Sequence, residues 1–93
     1  MEDVLKKVIV FSGHFCGYCT LAKKLLEKKK IDFEEINIHD NPNKIEKMMK
    51  LSQGKKTVPQ IFVGDTYIGG FEDLYNIDNK GILNKILKKE GIV

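Results

Sequence analysis

The sequence predicts an α/β domain in which helices flank a four-stranded mixed sheet, in the order β-α-β-α-β-β-α. Three observations lead there. A continuous β-branched run, "KVIVF" at residues 7–11, has the pattern of a central strand buried on both faces. Apolar residues at helical spacing follow it after a short break, and a second apolar strand pattern comes after that. Near the middle of the C-terminal half, two short apolar runs flank Gly64 and Asp65, which is hairpin chemistry. At 93 residues this is one domain, 1–93, and a chain of that size buries about 60 to 68% of the surface its unfolded form exposes. No disulfide staple is required.

Each element has its own warrant. The first strand, residues 7–11, ends at Ser12 and Gly13. Leu21, Ala22, Leu25 and Leu26 then recur at helical spacing with Lys23, Lys24, Glu27 and Lys28 between them, so an amphipathic helix runs to about Lys30. "DFEEINI", residues 32–38, places Phe33, Ile36 and Ile38 in a second strand. A single helix between two strands implies parallel pairing through a right-handed crossover. Asn41 before Pro42 reads as a cap with proline at the first helical position, and Ile45, Met48, Met49 and Leu51 supply that helix's apolar stripe up to Gly54. Residues 61–63 and 67–68 form the hairpin. A short helical piece is expected at 72–75, and Ile82, Leu83, Ile86 and Leu87 share one face of a closing helix over 79–89.

Composition removes several function classes. The net charge is +3, yet all sixteen basic residues are lysine, and arginine, the usual bidentate reader of guanine and carboxylate, is absent. The lysines fall on the solvent faces of the expected helices, so nucleic acid is not an expected partner. No apolar run approaches the roughly 18 residues of a membrane span. The first residues, "MEDVLKKVIVFSG", lack the basic start and apolar length of a signal peptide. The expectation is a cytoplasmic protein, where a close cysteine pair more often does chemistry or binds metal than staples a fold.

That pair is Cys16 and Cys19, in "HFCGYCT", and the chain has no other cysteine. It lies where a buried strand gives way to a helix, beside unpaired amides and the positive end of the helix dipole. Both favour thiolate over thiol; such settings lower a cysteine pKa from about 8.5 to roughly 3.5–7.5. Cys19 is about one helical turn on, so its sulfur can reach that of Cys16 in a reversible disulfide. Exposed Cys16 is the expected nucleophile and the more buried Cys19 the resolving thiol. A drop from about 8.5 to about 5 raises the thiolate fraction some 30-fold at neutral pH, while intrinsic nucleophilicity falls by about as much. The gain is in Cys16 as a leaving group. Two plainer readings compete: an inert buried pair, and a zinc site, for which the only further ligand candidates are His14 and His39 at no common finger spacing. His14 reads as a loop residue, and His39, in "NIHDNP", as turn chemistry.

Two further stretches bear on a ligand. "TVPQIF" puts Pro59 directly before a strand; a cis Val58–Pro59 bond would expose the amide and carbonyl of Val58 to a peptide-like ligand, whereas a trans proline would only begin the strand. "IGGFEDL" puts Gly69 and Gly70 before a helix start, where the amides of Phe71, Glu72 and Asp73 would face an anion. A glycine turn needed for topology alone is the alternative.

"CGYC", "TVPQIF" and "GGFEDLY", in this order, resemble the glutaredoxins over nearly the full chain, and the thioredoxin-like fold comes with that resemblance. Thioredoxin proper is less similar, because this chain lacks a tryptophan before the first cysteine and has the double glycine of glutathione users. The resemblance implies a glutathione-disulfide oxidoreductase. Cys16 would reduce glutathione mixed disulfides alone, with Cys19 joining for protein disulfides. Glutathione would be the co-substrate, glutathionylated or disulfide-bonded proteins the other partners, and the protein a monomer. Carried over from the family, Val58 pairs with the glutathione cysteinyl backbone, Gly70, Phe71, Glu72 and Asp73 hold the γ-glutamyl carboxylate, and Tyr18, Thr57 and Pro59 line the groove. Two departures stand out. Gly13 replaces the family's usual lysine three residues before the first cysteine, and Glu46 falls where a basic or amide residue is common, so Lys47, Lys55 or Lys56 is expected to substitute. Gly17 replaces the proline of most two-cysteine members. Some members without that proline hold a 2Fe-2S cluster between subunits, so the resemblance also admits a homodimer binding such a cluster through Cys16 and glutathione.

Overall fold

The first apolar run becomes β1 (Val8–Ser12), with Val8, Val10 and Phe11 fully buried. The computed structural model describes residues 6–92. β1 pairs in parallel with β2 (Phe33–Asn37) and antiparallel with β3 (Gln60–Val63), which pairs antiparallel with β4 (Thr66–Gly69). The resulting order is β2-β1-β3-β4, so the continuously apolar runs are the two inner strands, as burial on both faces demands. The edge strand β2 carries Glu34 and Glu35, charges that discourage pairing with another chain.

Alternation along β1 and β3 divides the core. Val8, Val10, Ile61 and Val63 point to one face and pack against Ala22 and Leu26 of α1 (Gly17–Lys28), Leu74 of α3 (Phe71–Asn79), and Leu83 and Leu87 of α4 (Ile82–Lys89). Phe11 and Phe62 point to the other, edge to face with ring centroids 5.7 Å apart, and meet Ile38 and Met48. Met48 belongs to α2 (Ile45–Leu51), which follows a 3₁₀ turn at Pro42–Lys44. One α-helix therefore covers one face and three cover the other.

Four local expectations change. Leu21 is 46% exposed, because the buried line of α1 runs through Cys19, Ala22 and Leu26 and leaves Leu21 off it toward solvent. Asn41 makes no side-chain cap; its Nδ2 donates to the Asn37 carbonyl at 3.0 Å instead. The short helical piece is the nine-residue α3, and the closing helix starts at Ile82 after Gly81, whose φ of 74° interrupts the run. The hairpin has its two-residue turn at Gly64 and Asp65 but carries a register shift between Ile61 and Phe62.

The C-terminal end is fastened to that hairpin. The Glu90 carboxylate accepts from Thr66 Oγ1 at 2.6 Å, the Asp65 N–H at 3.1 Å and Lys6 Nζ at 3.2 Å. The Thr66 hydroxyl, then the Asp65 amide, hold its pKa down at about 2.

Candidate redox site

At the C-terminal end of β1 the chain must turn into α1, and Cys16 is the residue that makes this turn. It is the N-cap, with extended backbone at φ −114° and ψ 102°, and its Sγ accepts the Cys19 N–H at 3.1 Å. Sulfur thus occupies the place of a capping oxygen, at the positive end of a twelve-residue helix. Cys16 is half-exposed, while Cys19 is 2% exposed. The two sulfurs are joined in a disulfide with Cα atoms 5.2 Å apart. The exposed nucleophile and buried resolving partner expected from the spacing are therefore the arrangement observed, and this is the oxidised state.

The end of β1 is braced from the side. Ser12 is buried and donates through Oγ to Glu35 Oε2 at 2.6 Å, and Lys23 Nζ of α1 donates to the same oxygen at 2.9 Å. The Ser12 hydroxyl, reinforced by Lys23, holds the Glu35 carboxyl below its ordinary range. α1 is thereby tied to β1 and β2 within two turns of the cysteines.

Beside the disulfide runs a groove of about 260 Å³, lined by Tyr18, Lys55, Thr57, Val58, Pro59, Gln60, Gly70, Phe71, Glu72 and Asp73. It gathers every one of the eight residues singled out for ligand contact, although they come from three separate stretches of sequence. The Val58–Pro59 bond is cis, and the Val58 carbonyl oxygen lies 3.7 Å from Cys16 Sγ. On the far wall, Tyr18 stacks on Phe71 with ring centroids 6.1 Å apart. Gly70 is the N-cap of α3, and its own N–H is taken by Asp73 Oδ2 at 3.0 Å. The first intrahelical bond runs from Leu74 N–H to Gly70 O at 3.1 Å, so the amides of Phe71, Glu72 and Asp73 have no acceptor within the helix. A carboxylate can be bound there.

Of the three lysines considered as substitutes, Lys55 lines the groove, with Nζ 5.9 Å from the Tyr67 ring centroid. Lys47 lines a different hollow with Glu46 on α2, and Lys56 does not line the groove. Gln60 is a residue that sequence reasoning missed. It is 3% exposed; its Nε2 donates to Thr57 O at 2.9 Å and Thr57 Oγ1 at 3.2 Å, and its Oε1 accepts from Tyr67 OH. The signal was a lone amide opening an otherwise apolar buried strand. Nothing in the site favours the cluster-bearing alternative, since the Cys16 sulfur it would need is bonded to Cys19.

Comparison with known proteins agrees with this geometry. The glutaredoxin family model matches residues 8–68. Glutaredoxin 1 of Rickettsia prowazekii is 39% identical over 90 residues, covering 96% of this chain and 95% of that protein. Glutaredoxin 3 of Escherichia coli is 43% identical over 84 residues, 90% of this chain and all (100%) of the relative. Among solved structures, the crystal structure of the buckwheat glutaredoxin–glutathione complex superposes with a TM-score of 0.81 at 27% identity, over 95% of this chain and 82% of that one.

Proposed function

The chain belongs to the glutaredoxin family and is a thiol–disulfide oxidoreductase, and from that premise we propose that it reduces disulfides at the expense of glutathione, with Cys16 as nucleophile. The observation that carries this is the Cys16 sulfur, half-exposed, capped by an N–H of α1 and set at the edge of a peptide-sized groove.

In the monothiol route the Cys16 thiolate attacks the glutathionyl sulfur of a mixed disulfide. One S–S bond forms as another breaks, and the substrate leaves as its thiolate. A glutathione thiolate then attacks the glutathionyl sulfur held on Cys16, releasing glutathione disulfide and restoring the Cys16 thiolate. In the dithiol route Cys16 attacks a protein disulfide and Cys19 resolves the mixed disulfide, leaving the Cys16–Cys19 bond; two glutathiones then reduce it. Binding follows from the groove. The Val58 amide and carbonyl pair with the cysteinyl backbone of the tripeptide. The amides of Phe71, Glu72 and Asp73 take the γ-glutamyl carboxylate, with Gly70 giving close approach. Tyr18, Thr57 and Pro59 form the walls, and Lys55, the cation in the groove, meets the glycyl carboxylate in place of the lysine that Gly13 lacks. The reading includes a monomer, a cytoplasmic compartment rich in reduced glutathione, and glutathionylated or disulfide-bonded proteins as partners.

The test is a glutathione-coupled assay on two variants. Cys16→Ser should lose all turnover; Cys19→Ser should keep reduction of glutathione mixed disulfides and lose reduction of protein disulfides. Turnover that survives Cys16→Ser would remove the basis of the proposal.

A further inference from the structure

A second cluster of titratable side chains lies outside the groove and grips the loop that carries Cys16. Asn37, the last residue of β2, organises it: its Oδ1 accepts the N–H groups of His39 at 2.9 Å and Asp40 at 3.1 Å. The β2–α2 loop is thereby shaped to present both side chains to the loop between β1 and α1. There His39 Nδ1 accepts the backbone N–H of His14 at 2.6 Å, Asp40 Oδ1 lies 2.7 Å from His14 Nε2, and the two imidazoles sit edge to face 5.1 Å apart. Gly13 makes the space for this. A Cβ at that position would stand 2.7 Å from His39 Cε1 and 2.9 Å from His39 Nδ1, closer than real contacts allow. The replacement of a lysine by Gly13 and the presence of His39 are therefore one feature.

A ring nitrogen that accepts an N–H must hold a lone pair, so His39 is neutral here with its proton on Nε2. Imidazolium has donors on both nitrogens and no acceptor. Protonation of His39 is thus incompatible with the bond to His14. Two residues beyond His14 is Cys16, and between them Phe15 has a φ of 53°, a left-handed conformation that a non-glycine residue keeps only while its surroundings impose it. The charged and titratable groups in contact with the cluster are His14 and Asp40. Glu35 of β2 acts on Asp40 electrostatically and is itself paired with Lys23 of α1. Among the described residues no group of three or more His, Cys, Asp or Glu side chains could hold a metal ion, so the cluster is not a metal site.

We propose that His39 is a positioning residue: neutral, it clamps the His14 amide and holds the Cys16 loop in its capping geometry, and when protonated it releases that loop. The inference rests on Cys16 being the nucleophile. Histidine changes charge between about pH 5 and 8, so turnover should carry a dependence on His39 in that range.

The first measurement uses the oxidised protein, in which neither thiol titrates. In ¹H–¹⁵N spectra recorded from about pH 5 to 8, the His14 amide proton should move with the same midpoint as the His39 ring Cε1 proton. In His39→Asn, whose Oδ1 accepts a hydrogen bond but carries no charge, it should stay in place. The second measurement is the ratio of wild-type to His39→Asn turnover in the glutathione-coupled assay. It should be near one at high pH and fall by about two- to tenfold on acidification, the effect of one hydrogen bond. Gly13→Ala, which displaces the ring, should show the released His14 amide at every pH. An amide indifferent to His39, or a ratio independent of pH, overturns the clamp. An amide that tracks His39 in a protein without glutathione turnover would support the clamp while sinking the functional reading.

Discussion

Gly69→Ala is the substitution by which the geometry at the start of α3 can be weighed. Gly69 has a φ of +119°, a region that costs a residue with a side chain about 1–3 kcal/mol. Its added Cβ would lie 2.9 Å from Asp73 Cγ and 3.2 Å from Asp73 Cβ. The carboxylate must swing away and give up the Gly70 N–H it holds at 3.0 Å. Because Asp73 is exposed, water replaces part of that bond, and its loss is worth about 1 kcal/mol. The sum, about 2–4 kcal/mol, should lower Tm by roughly 10–30 °C for a domain of this size. Thermal melts followed by circular dichroism on Gly69→Ala, Asp73→Ala and the double variant separate the two causes. With Asp73→Ala in place only the Cβ contact remains, which a shift of a few tenths of an ångström relieves. Gly69→Ala should then cost the backbone strain alone, leaving a coupling of about 1 kcal/mol between the positions. Strict additivity, or a single variant within about 0.5 kcal/mol of the parent, would show that Asp73 is not packed against Gly69 as described.

Two other changes have defined outcomes. Lys55→Ala should raise KM for glutathione mixed disulfides about two- to fivefold, the worth of an exposed ion pair, with kcat unchanged, and the effect should shrink in high salt. A loss in kcat at constant KM would place Lys55 in the chemistry and not in binding. Glu90, held at about pKa 2 against an ordinary 4.5, contributes stability that is complete above about pH 4.5 and lost as pH falls through about 2. Glu90→Gln should therefore unfold at lower urea than the parent at neutral pH, with the difference closing on acidification. A gap unchanged from pH 7 to pH 2 would mean that the carboxylate charge is not what Thr66, Asp65 and Lys6 recognise.

How much was legible in advance follows from the range of the interactions involved. Strand and helix identity rest on period and burial, which are local, so the order of β1 to α2 and the hairpin turn at Gly64 and Asp65 could be read directly. Boundaries were less visible where side chains act at a distance. The Asn41–Pro42 pair looked like a cap, but Asn37, four residues earlier, takes Asn41 into its own turn. The groove residues were found through motif resemblance, and the structure brings those three stretches to one place. Gln60 escaped notice because its partners, Thr57 and Tyr67, meet it only once the cis turn and β4 are in place. His39 escaped for the same reason: its partner is the backbone of His14, 25 residues away, and no sequence pattern announces a bond to a backbone amide.

The two cysteines divide their work through different parts of the residue. Cys16 contributes a sulfur and needs an electropositive, accessible place for it. The donor that meets this sulfur at 3.1 Å is the main-chain N–H of Cys19, which any residue but proline at position 19 supplies. The side chain of Cys19, 2% exposed, is beyond the reach of a large substrate and serves only to displace what Cys16 has captured. Support for the thiolate and resolution of the mixed disulfide are therefore separable at one position. Serine there keeps the first and loses the second, whereas proline would remove the N–H and weaken both routes together. That distinction cannot be produced by a pair whose sulfurs act only as a structural link.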